Sequence, residues 1–385
     1  MSDNVTKLKN IGPEKKRLLI LGIVGFLVLA VLAFVLFPKT LNLDGIGRRI
    51  RYGSEKKQVG YGTVTYDAHS SNRFVCWEDG LALASVGGVE TFYEEGAKLI
   101  QKTMSLNAPA LQQGGDITLC YDIGGSLVMA IRDGRQTVLE HTTEGVLFDA
   151  DVSSKGAVCT AASESGHKTV LRVYDTEQQE VYRWFSASQY MPLCAVSPNG
   201  KQMAAVALGQ EDGAFVSTAY FFKTTSEEPE KTVSLGGNLV YDLRFVEDNK
   251  LCVVKEDAVV WMNTAGSELG TFDLSDWYLE DYDFSGDGFA MLSLNKYKAG
   301  DRCSVVTVDH NGNQLGSLFV GAEVLDISVC GKYAAILTTE NLMICYNDLT
   351  EYRTVPNSWM ATEVLMRGDG TAYLLTANAA ELFIP

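Results

Sequence analysis

The chain contains 385 residues, of which 46% are apolar and 21% are charged, so it can build a large core and is not a disordered protein. Its 48 acidic residues outnumber its 32 basic residues, which gives a net charge of −16. Because contact with phosphate backbones requires a basic surface, this charge argues against nucleic acid as a partner.

The first element along the chain is an uncharged, mostly apolar run at residues 18–37. A helix of this length spans about 30 Å, which matches the hydrocarbon core of a bilayer. The run is longer than the apolar region of a cleaved signal peptide, and no small-residue cleavage site follows it. It therefore predicts an uncleaved transmembrane helix, which Pro38 ends.

The basic residues beside this run predict its orientation. Lys15, Lys16 and Arg17 adjoin its first residue, whereas Lys39 alone adjoins its end. Because positive flanks stay inside the cell, we expect residues 1–17 to be a short cytoplasmic tail in a single-pass protein of the cell membrane. Residues 38–57 then form a basic tether, either solvated or in contact with lipid headgroups, and the rest of the chain is extracellular.

The region after the tether changes sharply in charge and pattern. The first 57 residues hold 11 basic and 4 acidic residues, so residues 58–385 carry a net charge of −23. Short β-rich runs alternate there with tight turns, and one turn recurs eight times. Its copies end at Gly80, Gly125, Gly156, Gly200, Asn249, Gly288, Gly331 and Gly370.

The spacing of these turns predicts the fold. The copies lie about 41 residues apart on average, and a second turn in most units gives four strands per unit, which is typical of a β-propeller blade. The sequence thus predicts an all-β, eight-bladed β-propeller at residues 58–385, with seven blades as the alternative. The last unit lacks a fourth strand, and we expect a strand at about residues 59–66 to supply it and close the ring.

The order of these elements resembles that of a known family. The anchor, the tether, the segment YDAHSSNRFVCWEDGLALASVGGVETFYEEGAKL (residues 66–99) and the degenerate units are similar to an uncharacterised bacterial family of membrane-anchored β-propeller proteins, a domain of unknown function. The resemblance implies location and architecture but no activity. More distantly, SPNGK at residues 197–201 is similar to a turn of WD40-like repeats, and residues 173–184 are similar to a turn of quinoprotein propellers.

Motifs for catalysis are missing from the sequence. It contains no nucleophile elbow, zinc-binding histidine pair or phosphate-binding loop, so we predict no enzyme activity, cofactor or metal. Asp309 opens a segment that is similar to a calcium loop, but Gln314 and Val320 replace the required Gly and Glu, and a hairpin is expected instead. Asp281 and Asp283 share one strand face, which suits either a ligand in the central channel or a solvated strand entrance.

The 8 cysteines are distributed along the propeller region at about one per blade. None lies in a C-x-x-C motif, so the sequence contains no redox or zinc-binding motif of that type. Their positions in apolar runs favour buried thiols that pack as small hydrophobic side chains. Disulfides remain the alternative for an extracellular domain.

Four aromatic residues at predicted inter-blade connections are the candidate binding residues: Tyr190, Trp277, Tyr278 and Trp359. In a propeller these connections share a face with the loops between second and third strands. Three such loops are predicted to be long, at residues 163–168, 209–213 and 295–302. Aromatic rings beside polar loops are typical of binding surfaces, and packing between blades is the alternative.

Together these features predict a membrane-anchored, extracytoplasmic β-propeller that acts as a binding or scaffolding module in the bacterial cell envelope. Its partner is expected to be a protein or an envelope polymer. Two alternatives remain open. One is an envelope enzyme of the glycan lyase or hydrolase type, with a site assembled from several blades. The other is a ligand sensor that works through a membrane partner.

Overall fold

The computed structural model describes residues 43–53, 61–297 and 303–385. The predicted tail and transmembrane helix at residues 1–37 lie outside this range. The chain divides into two units, residues 1–56 and 57–385. In the first unit, helix α1 (Leu43–Tyr52) forms part of the predicted tether. None of the helices within the described residues has the length and apolar character needed to cross a bilayer.

Eight four-stranded antiparallel sheets make up the second unit, so the predicted eight-bladed, all-β propeller is confirmed. Blade 1 contains β2 (Arg73–Trp77), β3 (Gly80–Ser85), β4 (Gly88–Tyr93) and β5 (Lys98–Thr103). Blade 2 contains β6 (Pro109–Gly114), β7 (Ile117–Asp122), β8 (Leu127–Arg132) and β9 (Gln136–Thr142). Blade 3 contains β10 (Leu147–Val152), β11 (Val158–Glu164), β12 (His167–Tyr174) and β13 (Glu180–Ser186). Blade 4 contains β14 (Tyr190–Val196), β15 (Gln202–Glu211), β16 (Ala214–Lys223) and β17 (Lys231–Gly236).

The remaining blades repeat this pattern of consecutive strands. Blade 5 contains β18 (Val240–Glu247), β19 (Lys250–Lys255), β20 (Ala258–Asn263) and β21 (Glu268–Asp273). Blade 6 contains β22 (Tyr278–Asp283), β23 (Phe289–Asn295), β24 (Cys303–Asp309) and β25 (Gln314–Val320). Blade 7 contains β26 (Val324–Cys330), β27 (Tyr333–Thr338), β28 (Asn341–Tyr346) and β29 (Glu351–Pro356). Blade 8 combines β30 (Glu363–Met366), β31 (Ala372–Leu375) and β32 (Ala379–Phe383) with β1 (Tyr61–Thr65).

Strand β1 closes the ring from the N-terminal side. It pairs antiparallel with β32, with Tyr61 opposite Leu382 and Thr65 opposite Ala379. The hydroxyl of Tyr66 then donates to the carbonyl of Thr376 at 2.7 Å and fixes the end of the strand. The fourth blade-8 strand is therefore supplied by the segment that the sequence predicts at about residues 59–66.

The apolar core is distributed around the ring between neighbouring blades. The second strands are buried along nearly their whole length, as in β7 and β27, because both of their faces pack against other blades. The outer strands instead alternate between exposed and half-buried positions, as in β21. This arrangement explains the continuous apolar runs in the sequence and leaves the innermost strands around a central channel.

Candidate functional site

The ring has two faces that are built from different connections. We call the face with the first-to-second and third-to-fourth strand turns the turn face. The opposite face, the connection face, carries the second-to-third strand turns and the inter-blade connections. These connections comprise residues 66–72, 104–108, 143–146, 187–189, 237–239, 274–277, 321–323 and 357–362. Because β1 pairs antiparallel with β32, the chain enters the ring at the turn face.

All four candidate aromatic residues lie at the connection face, before blades 4, 6 and 8. Tyr190 and Tyr278 are 53% and 44% exposed. The ammonium group of Lys168 lies 5.0 Å from the centroid of the Tyr190 ring, and Phe148 meets that ring edge-on at 6.2 Å. Both tyrosines are therefore available at the surface, and Tyr190 is additionally oriented by its neighbours.

The two tryptophans are placed differently from the tyrosines. Trp277 is half-buried against the core between blades 5 and 6, with the ammonium group of Lys296 5.8 Å from its ring centroid. Trp359 is half-buried against the core between blades 7 and 8, where its ring centroid lies 5.9 Å from that of Phe383. The packing alternative thus applies to both indoles, each of which also borders the connection face.

Large apolar side chains are exposed on the connection face and on outer strands. Those at the connection face are Val86, Ile123, Val146, Tyr190, Leu208, Phe215, Leu239, Tyr241, Tyr278, Tyr297 and Met360. Those on outer strands of the blades are Val181, Phe185, Leu269, Leu315 and Phe319. Within residues 61–297 and 303–385 the turns of the turn face expose none, but Val181, Leu269 and Leu315 lie at the turn-face ends of their outer strands, each as the second residue of its strand. The sequence did not indicate this asymmetry, because it depends on which strand ends are covered by neighbouring blades.

The connection face is also acidic. Its described connections and turns contain the acidic residues Asp67, Glu144, Asp212, Glu256, Asp257, Asp276, Glu323 and Glu340, whereas Lys296 is the basic residue among them. A ligand for this face must therefore match exposed apolar side chains and negative charge together.

Two of the three predicted long loops are wrong. Residues 163–168 form a tight hairpin, since β11 ends at Glu164 and β12 begins at His167. Residues 209–211 continue β15, and only Asp212 and Gly213 turn the chain. Part of the third segment, residues 298–302, lies outside the described residues. What projects from this face is therefore a β-hairpin, which carries the exposed ring of Phe215.

Carboxylates on the innermost strands join neighbouring blades. The backbone N–H of Cys194 in blade 4 donates to Asp149 in blade 3 at 2.9 Å, and that of Val329 in blade 7 donates to Asp283 in blade 6 at 2.7 Å. Equivalent contacts connect Val152 to Gln112, Val196 to Asp151, Val364 to Asp326 and Met366 to Ser328. Each innermost strand is an edge strand, so these side chains accept N–H groups that have no strand partner.

The position of Asp283 answers the question that the sequence left open for this strand. Its carboxylate lies at the blade 6–blade 7 junction and stabilises the neighbouring strand, rather than marking a solvated strand entrance. An Asp recurs at one register of the innermost strand in blades 3, 5, 6 and 7, namely at Asp149, Asp242, Asp281 and Asp326. The Asp precedes the last residue of the following turn by seven residues in blades 3, 5 and 6 and by five in blade 7, and this recurrence was the sequence signal for the contacts.

Burial in the channel wall changes the ionisation of these carboxyl groups. It raises the pKa of Asp149 to about 8, against the hydrogen bond from Cys194, which lowers it. Burial likewise raises the pKa of Asp242 to about 6, and the nearby Arg244 guanidinium opposes this shift. The pKa of Asp326 is also raised well above its ordinary value by burial.

The channel forms a cavity of about 640 Å³ that residues from all eight blades line toward the turn face. Arg244 lines it at the register that holds Asp151 in blade 3 and Asp283 in blade 6. A guanidinium cannot accept an N–H, so this side chain supplies positive charge among the carboxylates instead. Within the described residues, no three His, Cys, Asp or Glu side chains form a metal-binding group.

The predicted hairpin at Asp309 is present between β24 and β25. The Asp309 carboxylate accepts the backbone N–H groups of Asn311 and Asn313 at 2.8 and 2.9 Å, so it is used within its own turn.

All eight cysteines are free thiols, and all except Cys76 and Cys330 are buried, as expected for small apolar side chains.

The chain is similar to one protein family and to several solved structures. The profile of a family described as "Family of unknown function (DUF5711)" matches residues 55–352, which confirms the resemblance inferred from the sequence to a family of unknown function. No curated protein matches the chain.

Solved structures that match the chain include β-propellers. The β-propeller domain of Cps50 (Swd1) from Myceliophteria thermophila is 12% identical, with a TM-score of 0.46, and the match covers 85% of this chain and all of that one. KlHsv2 with loop 6CD replaced by a Gly-Ser linker is 14% identical, with a TM-score of 0.38, and the match covers 52% of this chain and 67% of that one.

Proposed function

The chain belongs to this family of unknown function, and we propose that it is a binding or scaffolding module whose connection face docks a partner protein. The observation that carries this proposal is the distribution of large apolar side chains, which are exposed in the connections and turns of the connection face but not in the described turns of the turn face. Exposed apolar side chains are normally scattered over a protein surface. Their restriction to one face and the outer strands supports a role for that face in binding.

The chemistry of the connection face favours a protein over an anionic envelope polymer as the partner. Tyr190 and Tyr278 offer rigid rings with few rotatable bonds, which are efficient anchors at protein interfaces. The acidic residues around them repel a polyanion, whereas a protein can present basic and apolar groups together.

The location of the protein is part of the same proposal. Residues 18–37 anchor it in the cell membrane as a single-pass helix, with residues 1–17 in the cytoplasm and the propeller outside the cell. The support is the uncharged run and the basic residues Lys15, Lys16 and Arg17 that precede it. Protease added to intact, wall-stripped cells is expected to digest residues 58–385. Full protection of this region would contradict the orientation.

The docking face is tested by photo-crosslinking in the cells that produce the full-length protein. A photoreactive residue replaces the exposed Tyr278 or Met360 on the connection face, and Glu227, which is exposed on the turn face, is the matched control position. We expect a discrete protein adduct from positions 278 and 360 and none from 227. Equal labelling from all three positions, or no adduct from 278 and 360, contradicts the assignment.

A further inference from the structure

The β15–β16 hairpin of blade 4 extends beyond the strands beside it. Both of its strands have 10 residues, and their pairing continues to Glu211 opposite Ala214. Strand β14 begins at Tyr190, opposite Leu208, so residues 209–211 of β15 have no strand partner on that side. The outer strand β17 likewise ends opposite Ser217.

The projecting edge of β15 is therefore open. Beyond the pairings of Leu208 with Tyr190 and of Ser217 with Gly236, residues 209–216 have strand partners only within the hairpin among the described residues. Gln210 holds the tip from within, since its side-chain amide donates to the carbonyl of Gly213 at 2.9 Å. An edge of this kind presents N–H and C=O groups to which an extended chain can pair.

One side of the hairpin carries exposed apolar residues toward blade 5. Leu208 lies two residues after Val206, and Val206 packs in the core between blades 4 and 5. Since alternate residues of a strand share a face, Leu208 points to the same side. Phe215 lies opposite Gln210 and shares that side with Leu208.

Blade 5 presents matching apolar residues at its start. Leu239 and Tyr241 are 45% and 42% exposed, and Leu208 and Phe215 are 37% and 38% exposed. A Cβ on Gly237 would lie 3.3 Å from the carbonyl of Phe215, which places the hairpin beside the start of blade 5. We call the region of these four residues and the open edge of β15 the β15–β16 groove. It offers apolar contacts to the side chains of a chain that lies along the edge.

Acidic residues lie on both sides of the β15–β16 groove, and Lys255 of blade 5, opposite Val240, is paired with Asp257 at 3.1 Å. Glu211 and Asp212 form the tip of the hairpin. On blade 5, the backbone N–H of Glu256 donates to the carbonyl of Leu239 at 3.0 Å, which brings this carboxylate-bearing turn to the groove. A second copy of this chain would bring the same acidic tip against the first, so like charges disfavour self-association here. Charge complementarity therefore favours a basic occupant.

We propose that the β15–β16 groove binds an extended, positively charged segment of a partner polypeptide, which pairs as an added strand with residues 209–211 and continues the line of β14. This inference rests on the proposed function and names the part of the connection face that recognises the partner. Backbone pairing supplies affinity, and alternate side chains of the segment contact Tyr241 and Leu239 or remain near the acidic residues.

The test uses the full-length protein and a fluorescent eight-residue peptide in which Lys and Val alternate. Two related peptides are compared with it: one is N-methylated at alternate residues, which removes backbone donors, and the other contains Glu in place of Lys. We expect saturable, salt-sensitive binding of the first peptide. The N-methylated peptide should bind at least about tenfold more weakly, and the Glu peptide should not bind.

Two matched variants locate the site of binding. Phe215→Ser on the hairpin is expected to weaken binding by about tenfold or more, whereas Phe319→Ser, at a 62% exposed position on an outer strand, should change it less than about twofold. Equal unfolding midpoints of the two variants establish that both are folded. If Phe215→Ser binds the peptide as well as the wild type does, the peptide does not bind in the β15–β16 groove. If the N-methylated peptide binds as well as the first peptide, binding does not depend on strand pairing.

The peptide-binding experiment can fail while the crosslinking experiment that tests the proposed function succeeds. If crosslinking from positions 278 and 360 captures a protein while the Lys-Val peptide fails to bind, the connection face docks a partner and the strand-addition inference alone is overturned. If both experiments are negative, the proposed function fails as well.

Discussion

The two faces of the ring reverse the same strands but expose different side chains. Side-chain acceptors close turns on both faces, and on the connection face the Asp122 carboxylate accepts the backbone N–H groups of Asn107 and Ala108. On the turn face, Asp309 and Asp175 accept N–H groups of their own turns, which closes these turns locally. On the connection face, Tyr278 and Met360 remain exposed. Since each blade reverses its chain at both ends, the propeller fold alone does not require this difference. The difference accords with the docking role that we propose for the connection face and with a stabilising role for the turn face.

The largest expected effect tests the stabilising role of the turn face. The Arg367 guanidinium at the start of a blade-8 turn lies 3.0 Å from the Glu94 carboxylate of blade 1, and both side chains are buried. Arg367→Ala removes a buried charge partner from this carboxylate, so we expect the free energy of unfolding to fall by about 3–5 kcal/mol. Arg135→Ala is the control, because its 3.9 Å contact with Asp79 is exposed and should contribute less than about 1 kcal/mol.

Urea unfolding followed by circular dichroism measures both changes. A loss for Arg367→Ala no larger than that for Arg135→Ala would show that the blade 8–blade 1 junction does not depend on the buried ion pair. The stabilising role of the turn face would then have no support from this ion pair.

The next prediction separates packing from exposure on the connection face. Trp359 is half-buried against the core of blades 7 and 8, so Trp359→Ala should cost about 2 kcal/mol or more of folding stability. Tyr278 is 44% exposed, and Tyr278→Ala should cost less than about 1 kcal/mol while weakening partner capture. Thermal unfolding checks the first difference. Equal losses would show that the exposed and half-buried rings have the same role.

The sequence predicts the eight-bladed ring well because the signal for it, a turn followed by an apolar strand, is local and repeated. Turns at regular spacing and apolar second strands recur in every blade, so degenerate copies still indicate eight units. The location of Tyr190 and Tyr278 at inter-blade connections also follows from turn order. The exposure of the two rings does not follow from turn order. It depends on how far neighbouring blades cover each strand end, and the spacing of residues in the sequence does not show this.

The same dependence on neighbouring strands and blades explains why residues 163–168 and 209–213 are wrongly predicted as long loops. Residues 209–213 are polar and contain Gly209 and Gly213, which is typical of a loop, yet strand pairing with residues 214–216 extends β15 through them. The inter-blade contact of Asp149 joins residues 45 apart in the sequence, so it becomes recognisable only when the blades are aligned in register. Hydrogen bonding between units, rather than composition, decides the conformation in both places.

A channel carboxylate and a turn-face carboxylate should change the stability of the fold in opposite directions as the pH changes. Burial raises the pKa of Asp149 from 3.8 to about 8, so the folded state holds this proton more tightly than the unfolded state. Its contribution to stability is complete below about pH 4 and is lost as the pH rises toward 8. Asp149→Asn stays neutral, so its stability relative to the wild type should increase over this range, by about 1 kcal/mol or more.

Asp309 provides the control with the opposite sign. Although partial burial acts to raise its pKa, hydrogen bonds from Asn313 and Asn311 lower it overall, so its contribution is present above about pH 4 and is lost on acidification. Asp309→Asn should therefore be less stable than the wild type at pH 7 and approach it near pH 3. Urea midpoints measured from pH 3 to pH 8 distinguish the two cases. Parallel curves for both variants would show that channel and turn carboxylates ionise alike, which would remove the electrostatic difference between the channel wall and the turn face.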